Sequence, residues 1–311
     1  MSDVARRSGT FGSFPHSQLV VWDLERGNTL LVPALINCSL EEDMMRHHRR
    51  TVRCGAHVGF GVAYVLIAAT SAMAADSDKT ACATAGPQAP RDIRNSFGVN
   101  KVGFAFAPSA EKMNLCDIHF HRYAEHRAAG YSRLAGDGEH KGYICNGSTP
   151  PKHDAHGANN APGCGGIAVG DTIEVHWVFT TCKVKPGPTL GSCFTDTCTD
   201  PQLRVEARVF QLTDRDTDPD FGTLADYSSG NVKLPPAIAP VQYLGSTTGP
   251  SYNDGTCSPF KVTWNVTSQC QNLNIKSINN WCGKTKNAFK EDHAHGVRAL
   301  VTDAALLSQF K

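Results

Sequence analysis

Residues 203–212 read LRVEARVFQL, and residues 172–179 read TIEVHWVF. The first stretch alternates apolar and polar side chains. The second is rich in β-branched and aromatic types. In an extended chain successive side chains point to opposite faces, so both stretches predict β-strands. The same reading, carried outward, predicts strands at 102–107 (VGFAFA), 117–121 (DIHFH), 260–266 (FKVTWNV) and 296–302 (GVRALVT). Gly-, Pro- and Asn-rich loops lie between them. The longest, 136–170, contains Cys145 and Cys164, and a loop of that length is usually functional or pinned. Helix signals are few, with a short terminal helix predicted at 304–310. No internal repeat is visible. These signals predict a mainly β, single domain with a large twisted, mostly antiparallel sheet and few short helices.

The chain has 311 residues, which alone would suggest about two domains. The N-terminal part argues for fewer. Arg46, Arg49, Arg50 and Arg53 form a basic segment, 58–70 is apolar, and Ala72-Met73-Ala74 is an A-x-A cleavage pattern. Residues 44–74 therefore read as a secretory signal peptide, with an apolar run too short to span a bilayer. The other reading of 58–70 is an N-terminal core helix. Residues 1–43 precede this leader and are expected to be an upstream mis-start or disordered, with Met44 or Met45 as the true start. Residues 75–311 are then an exported domain, periplasmic or secreted, with no membrane attachment after cleavage.

Of the 12 cysteines, ten fall in 75–311. An even number in an exported chain implies disulfides, whose pairing sequence does not reveal. The competing thiolate-metal reading has only Cys193-x4-Cys198 to support it. Lys+Arg 30 against Asp+Glu 29 leaves no basic surplus, which argues against a nucleic-acid partner. Hydrophobic content of 41% and charged content of 19% describe a globular chain.

The chemistry concentrates in the 13 histidines. His119 and His121 stand two apart on a predicted strand, so both imidazoles share a face and can reach one cation. His176 lies on a second predicted strand, with Glu174 on its own face. A metal-bound imidazole needs a partner for its other ring nitrogen, and Glu174 can be that partner or an ordinary exposed carboxylate. Three histidines without a fourth protein ligand are the pattern of an open, catalytic zinc site, where bound water acquires a pKa near 7. Such a site does not select zinc by affinity alone, and cobalt or cadmium could substitute.

These residues occur in an order that resembles the α-class carbonic anhydrases. Ile118-His119-Phe120-His121 is similar to that family's first two ligands, Glu125-His126 to its Glu-His pair, and Glu174-Val175-His176 to its third-ligand segment. Tyr243-Leu244-Gly245-Ser246-Thr247-Thr248 with Pro250 resembles its YPGSLTTPP stretch. Val262-Thr263-Trp264 and Asn280-Trp281 resemble two later islands. The longer, Cys-rich spacing between ligands, the missing Leu before the threonines and the cluster from Cys116 to His126 are closer to the δ-class.

The resemblance implies an α-carbonic-anhydrase-like fold and reversible hydration of CO2 to bicarbonate and a proton. It implies a zinc ion on His119, His121 and His176, with zinc-held hydroxide as the nucleophile. Thr247 would accept that nucleophile's hydrogen bond and donate its own to ionised Glu125. Thr248 would line the bicarbonate side, Trp264 would wall the CO2 pocket, and Glu174 and His126 would support the ligands. No histidine of 75–311 precedes His119, so no shuttle for the released proton is assigned. His293-Ala294-His295 could be an alternative ligand pair, a surface pair or a proton relay, and His140, His153 and His156 compete for the last role. Oligomeric state is left open.

Other signals are weaker. Asn146-Gly147-Ser148 and Asn265-Val266-Thr267 are glycosylation sequons, meaningful only in a host that glycosylates exported chains. Asp214, Asp216, Asp218 and Asp220 alternate in a loop that reads as solvated rather than calcium-binding. Two rival functions stand beside the enzyme: an exported non-catalytic protein that binds or buffers metal, and a carbohydrate- or surface-binding β domain with incidental histidines. The partner residue beside each ligand island favours the enzyme.

Overall fold

The structure is a computed structural model that describes residues 18–23, 28–33, 82, 84–136, 141–151, 164–230, 232–283 and 285–310. The chain divides into two compact units, Met1–Ile67 and Ala68–Lys311. In the first, β1 (Gln18–Asp23) and β2 (Asn28–Pro33) pair antiparallel, within the stretch expected to be an upstream mis-start or disordered. The expected leader at 44–74 lies outside the described residues.

The second unit is built on a five-stranded sheet. Its strands are β3 (Asn114–Arg122), β6 (Thr172–Thr180), β7 (Leu203–Thr213), β8 (Val241–Ser246) and β9 (Lys261–Asn274), in the order β3-β6-β7-β9-β8. Only the β7–β9 ladder is parallel; the other three are antiparallel. A small separate pair joins β4 (Arg133–Ala135) to β5 (Gly142–Ile144). Among the described residues the helical elements include α1 (Phe221–Leu224), α2 (Ile275–Trp281) and a few 3-10 turns. Among the described residues no helix is long and apolar enough to cross a membrane. The mainly β, mostly antiparallel architecture is the one the alternating stretches imply.

Two expected strands do not form. Residues 102–107 do alternate in exposure, yet they adopt no ladder; Ala107 N–H instead donates to the Thr263 hydroxyl at 2.8 Å. Residues 296–302 likewise run without a strand, tied by individual bonds such as Val301 N–H to Pro90 O at 2.9 Å. Alternation reports a stretch with one packed face, whereas a strand also needs a neighbour in register. The expected terminal helix contracts to a 3-10 turn at Ala304–Leu306.

β6 is buried along its whole length. Ile173, Val175, Trp177 and Phe179 join Ile118 and Phe120 of β3, Phe210 and Leu212 of β7, and residues of both helices in one apolar core. The opposite face carries Glu174 and His176, beside a second core containing Val205, Ala207, Val209, Tyr243, Trp264 and Val266.

All ten cysteines of 75–311 pair: Cys82–Cys257, Cys116–Cys193, Cys145–Cys270, Cys164–Cys282 and Cys182–Cys198. The long loop is pinned at both ends of its described part, by Cys145 to β9 and by Cys164 to the residue after α2. Cys193 and Cys198 serve two different bridges and not one metal. Five disulfides point to an oxidising, extracellular environment.

Candidate metal centre

The β3–β6 register sets His119 directly opposite His176, and the pleat puts His121 on the same face. Ring centroids lie 5.0 Å apart for His119 and His176, 4.8 Å for His121 and His176, and 5.3 Å for His119 and His121. One nitrogen from each ring falls in a group whose members all lie within 4.8 Å of one another.

Which nitrogen faces the centre is fixed from behind. His119 Nδ1–H donates to Asp117 Oδ2 at 2.7 Å, His121 Nδ1–H to the Gly296 carbonyl at 2.7 Å, and His176 Nε2–H to Glu174 Oε1 at 2.9 Å. Each bond consumes the ring's one proton in the neutral form and leaves a lone pair on the other nitrogen. His119 Nε2 and His176 Nδ1 consequently confront each other as lone pairs at 3.2 Å. His121 Nε2 is buried and makes no hydrogen bond, a costly state for a polar atom in a protein interior. A cation resolves both problems at once. Two imidazole nitrogens bound tetrahedrally to zinc at about 2.0–2.1 Å stand about 3.3–3.4 Å apart, close to the separation found here. These residues fit a divalent metal.

Protonation follows the same logic. Burial, with the neighbouring imidazoles second, pushes His121 well below its usual pKa. Burial also lowers His176, to about 4, against the opposing hydrogen bond and charge of Glu174. Burial disfavours the charged form of His119 too, but the Asp117 carboxylate outweighs it and raises that pKa.

Glu174 organises the next layer. Its carboxylate accepts from Glu125 N–H at 2.8 Å, His126 N–H at 3.1 Å and His126 Nδ1–H at 2.6 Å, besides His176. Burial alone would raise its pKa, but His126 and His176 hold it well below the usual carboxylate range. His126 Nε2 accepts from the Tyr243 hydroxyl at 2.7 Å, so both of its nitrogens are engaged. His126, Glu174 and His176 also lie close enough to hold an ion, but these bonds make them a hydrogen-bonded support.

Glu125 is buried with one carboxyl oxygen 3.6 Å from His121 Nδ1. That oxygen accepts from Arg298 N–H at 2.8 Å. Burial, and secondarily the Glu174 charge, push the Glu125 pKa up to about 7; Arg298 N–H and the Thr248 hydroxyl oppose the rise. The Thr247 hydroxyl instead meets Ser258 Oγ at 2.5 Å. Trp264 packs with ring centroids 5.1 Å from His176 and 4.8 Å from His126, and its Nε1–H donates to Ser246 O at 2.9 Å. Gly245 permits that packing, since a Cβ there would sit 2.9 Å from both Trp264 Cδ1 and Tyr243 Cε2.

His295 borders the centre without joining the ligand group. Its ring lies 5.7 Å from His119 and 5.9 Å from His121, and Nε2 is 2.9 Å from Glu291 Oε2. His293 is exposed, bonded to Asp292 at 2.6 Å and stacked on His295 at 5.2 Å. His140, His153 and His156 lie outside the described residues.

Sequence reading missed Asp117, although it stands two residues before His119 as Glu174 does before His176. The Gly296 carbonyl and Arg298 N–H are backbone groups with no side-chain signature. Tyr243 was recognised in a motif but not as the partner of His126.

A family model described as Delta carbonic anhydrase matches residues 110–277, more than half of the chain. No curated protein matches. Among solved structures, a fungal alpha carbonic anhydrase from Aspergillus oryzae is 17% identical, with 61% of each chain covered and a TM-score of 0.26. The alpha carbonic anhydrase from Thermovibrio ammonificans, in complex with sulfanilamide, is 13% identical, covering 72% of this chain and 88% of that one at a TM-score of 0.25. The family match spans β3, β6, β7, β8 and β9 and every histidine of the ligand group, and on it the chain belongs to the delta carbonic anhydrase family.

Proposed function

We propose that this chain reversibly hydrates CO2 to bicarbonate and a proton, with zinc held by His119 Nε2, His121 Nε2 and His176 Nδ1. The observation that carries this reading is the convergence of three lone pairs, each fixed by a separate acceptor behind its ring. Zinc in such a site supplies a water whose pKa is lowered to about 7, a nucleophile available at neutral pH. Cobalt or cadmium could take the same three nitrogens.

The chain's own residues then position the reactants. Thr248, more than Thr247, is suited to hand a hydroxyl proton to Glu125, because the Thr247 hydroxyl is held by Ser258 Oγ at 2.5 Å while Glu125 Oε2 is buried with no hydrogen-bond partner among the described residues. A hydroxyl that donates to Glu125 must accept from its other neighbour, and this directionality orients the nucleophile's lone pair toward CO2. The role requires Glu125 ionised, and a cation beside His121 favours that form. Thr247, locked to Ser258, serves as wall. Trp264 gives the pocket an apolar side suited to CO2. Asp117, Glu174 and the Gly296 carbonyl hold the rings in the tautomers that expose their lone pairs. Residues 75–311 form the exported catalytic domain, periplasmic or secreted, after loss of a 44–74 leader. This favours the enzyme over a buffering protein, which would need no support behind each ring.

A stopped-flow CO2 hydration assay, with metal analysis of the same preparation, tests the reading. Zinc at one equivalent with rapid hydration is expected; a zinc-loaded protein no faster than buffer would refute it.

A further inference from the structure

Gln88 touches neither the histidines nor the threonines, yet its amide is fully buried and fully bonded. Oε1 accepts from Ser258 N–H at 2.9 Å and from Arg298 Nη1–H at 3.2 Å, and it lies 3.3 Å from the Ser246 hydroxyl. Nε2 donates to Ser258 O at 3.0 Å and Gly86 O at 3.2 Å. Both amide protons and both acceptor lone pairs are in use.

Its partners lead in two directions. Ser258 and Ser246 bear on the threonine loop: Ser258 Oγ meets Thr247 Oγ1 at 2.5 Å, and the Ser246 hydroxyl is 3.2 Å from the Thr247 carbonyl. Arg298 bears on Glu125 through its backbone N–H at 2.8 Å, and its guanidinium is further fixed on Ala89 O at 2.7 Å and Asn253 O at 3.1 Å. One amide thus clamps the segment carrying Thr248 and the segment holding Glu125. We propose that Gln88 is a positioning residue, setting the approach of the Thr248 hydroxyl to Glu125 from behind both. The proposal rests on the carbonic anhydrase reading for its effect on turnover, but the mechanical coupling it asserts does not.

The test uses the full chain loaded with zinc. Gln88→Leu removes every polar atom of the amide. Hydrogen exchange should accelerate at Thr247 N–H and Arg298 N–H together, while Trp177 N–H on β6 stays protected. Metal content should remain at the wild-type level and KM nearly constant. kcat should fall about tenfold to a hundredfold, the range expected for misplaced reacting groups. The loss should be non-additive with Thr248→Ala, because both changes act on one contact. Unchanged exchange at either amide, or losses that multiply in the double variant, would overturn the proposal. If Gln88→Leu does not fold, Gln88→Met removes the same polar atoms from an unbranched side chain of closer length. It should show the same paired acceleration, and wild-type exchange in it would be equally fatal. An inactive wild type would remove the carbonic anhydrase reading, and the exchange comparison would still decide the coupling.

Discussion

On one face of β6, Ile173, Val175, Trp177 and Phe179 belong to one apolar core, and Trp177 Nε1–H donates to Leu224 O at 3.1 Å. On the other, at the positions between them, Glu174 and His176 are equally buried and almost wholly engaged in hydrogen bonds. The same strand therefore obeys two rules. The apolar face is held by area and packing, where neighbours are interchangeable in kind. The polar face is held by pairing, where each donor and acceptor must find a specific partner. An unpaired atom means little on the first face and a great deal on the second, which is why His121 Nε2 marks the site.

Substituting one residue on each face sharpens this contrast most. His176→Ala should abolish metal retention while the apolar face keeps the domain folded; normal zinc content would remove His176 from the ligand set. Trp177→Ala should do the reverse. It should lower stability by about 3–5 kcal/mol, as large-to-small changes at buried tryptophans do, with metal per folded molecule unchanged. Denaturant unfolding and metal analysis of both variants separate the two rules. If either variant lost both properties, the faces would not be independent.

Smaller effects divide the polar face itself. Thr248→Ala should lower kcat by about tenfold to a hundredfold with little change in metal content, whereas Thr247→Ala should have the lesser effect on turnover. The opposite ranking would return the orienting role to Thr247. The smallest effect concerns protons. Asp117 raises the pKa of His119, while burial lowers those of His121 and His176. A proton therefore competes with the metal mainly at His119. Between about pH 5 and 6.5 the logarithm of metal affinity should rise with a slope near one per pH unit. A slope approaching three would mean that all three rings protonate alike.

The two faces were not equally legible in the sequence. The apolar alternation of β7 and the β-branched run of β6 carry their own fold signal, because periodicity is a property of consecutive residues. The same signal overreached at 102–107, where a packed face exists without a ladder, and underreached beyond residue 266, where β9 continues through polar side chains to Asn274. In the candidate site, spacing pointed to the ligand types, since residues two apart on a strand share a face. It could not show that the Thr247 hydroxyl would turn to Ser258, a residue 11 positions away across a loop. Nor could it show that the backbone of 296–298 would return to hold His121 and Glu125. Such contacts depend on where separate segments meet, and disulfide pairing was hidden for the same reason.

On the proposed reading, three imidazoles share one cation and leave a coordination position open. X-ray absorption spectroscopy of the zinc-loaded protein tests it directly. Three imidazole nitrogens at about 2.0–2.1 Å and one further light-atom ligand from solvent are expected. A zinc–sulfur distance near 2.3 Å, or fewer than three imidazoles around the ion, would contradict it.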